Sequence, residues 1–197
     1  MQTTEVILVL FLVWQLSAMP IPVWMASAFF GVDAEDYNSK PGWAENKFSF
    51  ESNKWSLTVF FAEFVKALGA MLLLQLVANH EVLLFEILPL QYILAFVVII
   101  GHTFPVYNEF KPTHSMGAYF GVFAALWLVP ALLALGVFFV FWAVSKKVTI
   151  SSLMLSLGLL VIITFILIDI NALAIASALS ALLLVSVLKQ KIGVVRA

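Results

Sequence analysis

One segment of this chain concentrates groups able to do chemistry: Gly101-His102-Thr103-Phe104-Pro105-Val106-Tyr107-Asn108-Glu109-Phe110-Lys111. It closes a long apolar run with a histidine, three aromatic residues and a lysine. An imidazole can move or donate a proton, and an ammonium can hold an anion. Glu63 and Lys66 lie three residues apart inside another apolar run, hence on one helical face where they can pair. Ionisable groups at such depth are costly and face a bundle interior or a wet cavity. Pairing inside a bundle is by itself enough to explain them. A third polar stretch, Asp33 to Lys54, carries eight charged side chains. Its centre, Asn38-Ser39-Lys40-Pro41-Gly42-Trp43-Ala44-Glu45-Asn46-Lys47, is rich in turn formers and hydrogen-bonding groups. Taken alone it also reads as a solvated connector, with Trp43, Phe48 and Phe50 as interfacial anchors.

Other chemistries lack their residues. The chain has no cysteine, which excludes disulfides and thiolate metal sites, and its three histidines show no HxxxH spacing. Neither a metal nor a cofactor is expected. No phosphate-binding P-loop, GxSxG elbow or dinucleotide fingerprint occurs. Inverted repeats of the transporter kind are not evident.

The elements that must position these groups are transmembrane helices. The chain is 63% hydrophobic and 11% charged, with a mean hydropathy of +1.09, and several runs approach the roughly 20 apolar residues that span a bilayer. The first run is too long for a signal-peptide core and lacks a basic n-region, so it reads as a retained transmembrane helix. Apolar runs lie at about 6–31, 55–78, 82–103, 115–129, 130–145, 149–168 and 170–188. The fourth and fifth are separated by Pro130, which removes a helix hydrogen bond. At 1.5 Å per residue they reach only about 22–24 Å, short for a full crossing. Charge decides between one long helix and two short ones. With seven spans, Lys40, Lys47, Lys54, Lys111, Lys146, Lys147, Lys189, Lys191 and Arg196 share one side, and Glu5, His80, Glu81 and Asp169 share the other. The expectation is therefore a single all-α integral membrane domain over 1–197 with seven transmembrane helices, the fourth and fifth short. Its N-terminus lies outside and its C-terminus in the cytoplasm. The Asp33–Lys54 loop then shares the cytoplasmic face with His102, Lys111 and His114.

These residues resemble a bacterial membrane-enzyme family, the acyl-phosphate:glycerol-3-phosphate acyltransferases (the PlsY family). That family carries a motif like GHxFPVFxxFKGGKG after its third span. Gly101-His102, Phe104-Pro105-Val106 and Phe110-Lys111 reproduce its first part. Ala18-Met19-Pro20 resembles an upstream SIP, and Gly31-Val32-Asp33 opens a run like GVDIRxxGSGNxGATN, in which Ser39, Ala44 and Asn46 match. Glu63-Phe64-Val65-Lys66 resembles DxxKG, and Val148-Thr149-Ile150-Ser151-Ser152 resembles VSLxS. The likeness covers nearly the whole chain, in order. Several motif positions differ. The GGKG loop reads Pro112, Thr113, His114, Ser115, and Pro112 offers no N–H to a phosphate. The GSGN glycines become Asn38 and Lys40, and the arginine after GATN falls on Ser49. The family's polar C-terminal motif, like RHxxNI, reads Val187-Leu188-Lys189-Gln190-Lys191-Ile192.

The resemblance implies that glycerol 3-phosphate attacks an acyl phosphate to give lysophosphatidate and inorganic phosphate, a step of phospholipid biosynthesis at a bacterial inner membrane. On that basis the catalytic candidates are His102, for proton handling or an electrophilic hydrogen bond, with Lys111 and Ser39. The substrate-binding candidates are Asn46, Lys40, Lys47, Lys66, Glu63, Phe104 and His114. Substrates and bilayer are the implied partners, without nucleic acid. The altered loops imply the alternative of a catalytically degenerate relative that binds lipid or acyl groups, or scaffolds another membrane protein.

Overall fold

A computed structural model describes residues 3–30, 53–78, 90–108, 116–145, 148–166 and 169–195. Among the described residues every element is helical, with eight α-helices and one turn of 3-10 helix. They are α1 (Thr3–Ala18), α2 (Ile21–Phe30), α3 (Asn53–Ala78), α4 (Leu90–Thr103), α5 (Met116–Leu126), α6 (Leu128–Ser145), α7 (Val148–Ile166) and α8 (Ile170–Val195). The 3-10 turn, Val106–Asn108, follows α4.

The first apolar run, expected as one helix over 6–31, is broken into α1 and α2 at Met19-Pro20. Pro20 has no N–H for the carbonyl of Leu16, and its ring crowds the preceding turn. The Met19 N–H instead reaches Leu16 O at 3.3 Å, the Ile21 N–H reaches Met19 O at 2.9 Å, and α2 then begins with the Trp24 N–H on Pro20 O at 3.0 Å. Pro22 falls in the first turn of α2, where a missing N–H costs nothing.

The second proline break is the one expected near Pro130, but it falls three residues earlier, at Trp127. Pro130 cannot donate to Leu126 O, so the discontinuity sits in the turn before it. Trp127 ends one helix by donating to Phe123 O at 2.8 Å and starts the next by accepting from the Ala131 N–H at 2.9 Å. At the other end of the chain, Asp169 caps α8: its carboxylate accepts the Asn171 N–H at 2.9 Å.

The core is organised around α5, which is buried on every face from Met116 to Ala124. Its closest partner is α3; α1 packs on α4, α6 on α7, and α7 on α8. Two glycines one turn apart, Gly117 and Gly121, let α5 lie directly on α3. A Cβ on Gly121 would stand 2.6 Å from Phe64 O, and one on Gly117 would press on Phe60 O and stand 2.9 Å from Glu63 Cβ. Phe120, between them, stacks on Phe60 and Phe64 with ring centroids 6.3 and 5.4 Å apart. Close backbone approach through small residues is how helices associate where hydrocarbon gives no hydrophobic incentive.

Polarity is arranged from the inside out. Ser17, Glu63, His102, Thr103, Ser151, Ser156 and Ser180 are buried, while Val144 and Phe165 are 81% and 80% exposed. Large apolar side chains exposed in such number, Phe11, Trp24, Phe61, Leu128 and Leu132 among them, suit a hydrocarbon solvent better than water. Among the described residues, α6 combines 18 residues with a mean hydropathy of 2.3, the length and composition of a crossing helix; it is about 27 Å long.

Candidate active site

Three charged or titratable side chains converge where α1 is broken. Lys66 projects from α3, and its ammonium donates to Ser17 O at 2.8 Å and Met19 O at 3.0 Å. These carbonyls belong to the last turn of α1 and to the break, where helical N–H partners run out and the helix dipole is negative. The same Nζ lies 3.1 Å from Nδ1 of His102 on α4. On the other edge of that imidazole, Nε2 stands 3.8 Å from Oε1 of Glu63. Glu63 and His102 are each 6% exposed. A buried carboxylate and ammonium are tolerable only when their charges offset one another and their hydrogen bonds are made.

Local sequence explains the convergence. Glu63 and Lys66 share one face of α3 by their three-residue spacing. His102 reaches them because Gly101, in the last turn of α4, lets that helix approach α1: a Cβ there would stand 2.8 Å from Trp14 O and 3.1 Å from Ser17 Cβ. On the opposite side, Gly117 allows α5 to press against Glu63. Three helices thus close around the Glu63–Lys66 pair of α3: α1 at the Pro20 break, α4 at Gly101 and α5 at Gly117.

Next to it, Thr103 Oγ1 and Tyr119 OH lie 3.3 Å apart in the buried interior, tying the end of α4 to α5. Thr103→Val is expected to lower stability by about 1 kcal/mol, the usual net worth of one such bond. A thermal melt in detergent checks it, and an unchanged melting temperature would remove the tie from the description. Past Pro105, the Tyr107 hydroxyl donates to Gln15 Oε1 of α1 at 3.2 Å, so the segment after His102 folds back over the first helix.

Of the residues singled out from sequence, Glu63, Lys66 and His102 are brought together, and Phe104 lies next to them in chain, half-buried, its N–H bonded to Ile100 O at 2.9 Å. Ser39, Lys40, Asn46, Lys47, Lys111 and His114 fall outside the described residues, as does the Pro112–Ser115 loop. Ser151, from the motif at the start of α7, is fully buried. Sequence reasoning missed the backbone carbonyls of Ser17 and Met19 as partners of Lys66. The available signal was Pro20, read by the same rule as Pro130.

The fold defined by these helices is that of an integral membrane acyltransferase. A crystal structure of PlsY (YgiH), an integral membrane glycerol 3-phosphate acyltransferase in its glycerol 3-phosphate form, superposes with a TM-score of 0.73 at 18% identity, covering 98% of this chain and 92% of that one. The chain belongs to the glycerol-3-phosphate acyltransferase family, whose model matches residues 7–196, as the motifs around His102 implied. A glycerol-3-phosphate acyltransferase of Fusobacterium nucleatum is 30% identical over 145 residues, 72% of this chain and 70% of that protein. One from Mycoplasmopsis agalactiae is 27% identical over 135 residues, 66% of this chain but only 56% of the relative's length.

Proposed function

We propose that this protein transfers an acyl group from an acyl phosphate to glycerol 3-phosphate. The glycerol hydroxyl oxygen bonds to the acyl carbon, and the acyl–phosphate C–O bond breaks with its electron pair on phosphate. The hydroxyl proton ends on the departing inorganic phosphate, and lysophosphatidate remains. The observation that carries this reading is the meeting of buried Glu63 and His102 with part-buried Lys66, in which His102 is the histidine of the segment that resembles the family motif. His102 offers a polar edge for proton handling or for a hydrogen bond to developing negative charge. Lys111 and Ser39 are the further catalytic candidates. Asn46, Lys40, Lys47 and His114 hold phosphate oxygens, and Phe104 lines the acyl approach. Lysines serve phosphate here as compact point charges.

The protein is a single membrane domain of seven spans in a bacterial inner membrane, with this site on the cytoplasmic side. The apolar exterior of the bundle supports the embedding, and the one-sided distribution of Lys and Arg supports the orientation. A second reading, a relative that binds lipid or acyl groups without turnover, rests on Pro112, Thr113 and Ser115 standing where the family motif has glycines.

The donor is tested by offering an acyl phosphate or an acyl thioester separately, with labelled glycerol 3-phosphate, to the purified protein. Labelled lysophosphatidate is expected from acyl phosphate alone. Formation from the thioester alone would replace the donor. Binding of glycerol 3-phosphate with no product from either would favour the second reading.

A further inference from the structure

The Lys66 ammonium has three protons, and the structure gives it three acceptors: Ser17 O at 2.8 Å, Met19 O at 3.0 Å and His102 Nδ1 at 3.1 Å. An ammonium is a donor only, so the ring nitrogen it faces must accept. A neutral imidazole that accepts at Nδ1 carries its proton on Nε2, the edge turned toward Glu63.

We propose that Lys66 is a positioning residue that clamps the α1–α2 break and fixes His102 as the Nε2–H tautomer, rather than a ligand of substrate phosphate. The inference deepens the acyl-transfer reading and rests on it only for its kinetic consequence. Pro20 interrupts the ladder and the Ile21 N–H turns to Met19 O, so Ser17 O lacks the donor a continued helix would supply; Ser17 O and Met19 O together form a fixed anchor for one cation. Glu63, one helical turn away, supplies the opposite charge, so the cluster is neutral without a substrate anion. A lysine so engaged has no proton left for a phosphate oxygen unless it abandons the helix break. With Nδ1 held by Lys66 and the Nε2–H edge turned to the Glu63 carboxylate, the buried ring is fixed in one tautomer and one orientation, on which the acyl-transfer step depends.

The tautomer is read by nitrogen NMR of the full-length protein in detergent micelles, with nitrogen-labelled histidine. The His102 signal is the one absent from His102→Gln. The expected result is a neutral ring with the proton on Nε2 in the wild type and in Lys66→Arg, which keeps a donor for Nδ1. In Lys66→Met, Nδ1 is expected to become protonated. A wild-type ring protonated on Nδ1 overturns the proposal, even where no lysine variant folds. So does a Lys66→Met ring whose Nδ1 stays unprotonated. With acyl phosphate and glycerol 3-phosphate, Lys66→Met should lower kcat about 100-fold and leave the KM for glycerol 3-phosphate near the wild-type value. A raised KM with kcat intact would make Lys66 a phosphate ligand and also overturn the proposal. A wild type without turnover but with the Nε2–H ring retires the acyl-transfer reading and leaves the clamp standing.

Discussion

Replacing His102 with alanine is expected to lower acyl-transfer turnover by about 10²–10⁴-fold, the usual contribution of a positioned proton-handling group. The imidazole sits at the centre of the only cluster among the described residues that joins a carboxylate, a histidine and a lysine. Its removal deletes the one ring that links Lys66 on α3 to the end of α4. Thermal unfolding must be measured alongside, because the same change leaves Glu63 and Lys66 with an altered buried environment. Lost turnover in a sample that still melts cooperatively places the chemistry at His102. Unchanged turnover would move the chemistry to the segments outside the described residues, where Lys111 and His114 lie.

Gly117→Val and Gly121→Val are expected to be the most damaging substitutions in the bundle, each costing about 1–3 kcal/mol or more from overpacking. The contacts an added Cβ would meet are backbone carbonyls of α3, Phe60 O for Gly117 and Phe64 O for Gly121, and a carbonyl in a helix cannot rotate away. To accommodate valine, α5 must lift from α3, and at Gly117 it takes the support from behind Glu63. Turnover should therefore fall in Gly117→Val even under conditions where the protein remains folded. Gly136→Ala is the control: nothing lies within 4 Å of a Cβ there, and alanine favours the helix by up to about 1 kcal/mol. Equal melting temperatures for Gly117→Val and Gly136→Ala would contradict the close packing of α5 on α3.

Much of this architecture was legible in the sequence because apolar runs and prolines act locally. The ends of α3, α6 and α7 fall within about two residues of the expected runs. A break between α5 and α6 follows from Pro130, and its displacement to Trp127 reflects that a proline disturbs the turn before itself. The break at Pro20 obeys the same rule but was masked by the long apolar run around it, since hydropathy carries no information on backbone bonds. The site was legible only in its parts. His102 and the Glu63–Lys66 pair each stand out by type, but Lys66 and His102 are 36 residues apart. What joins them is the close approach of α4 to α1 at Gly101, a tertiary contact without a local signature. The carbonyls that hold Lys66 are backbone atoms, which no residue type advertises.

Acyl-phosphate-dependent transfer at the α1–α2 break is tested most directly by phosphate release. Purified, detergent-solubilised protein is given palmitoyl phosphate and glycerol 3-phosphate, beside the His102→Ala variant. Release that requires glycerol 3-phosphate and disappears in His102→Ala is the predicted result. No release above the variant, from a folded and monodisperse wild type, would contradict it.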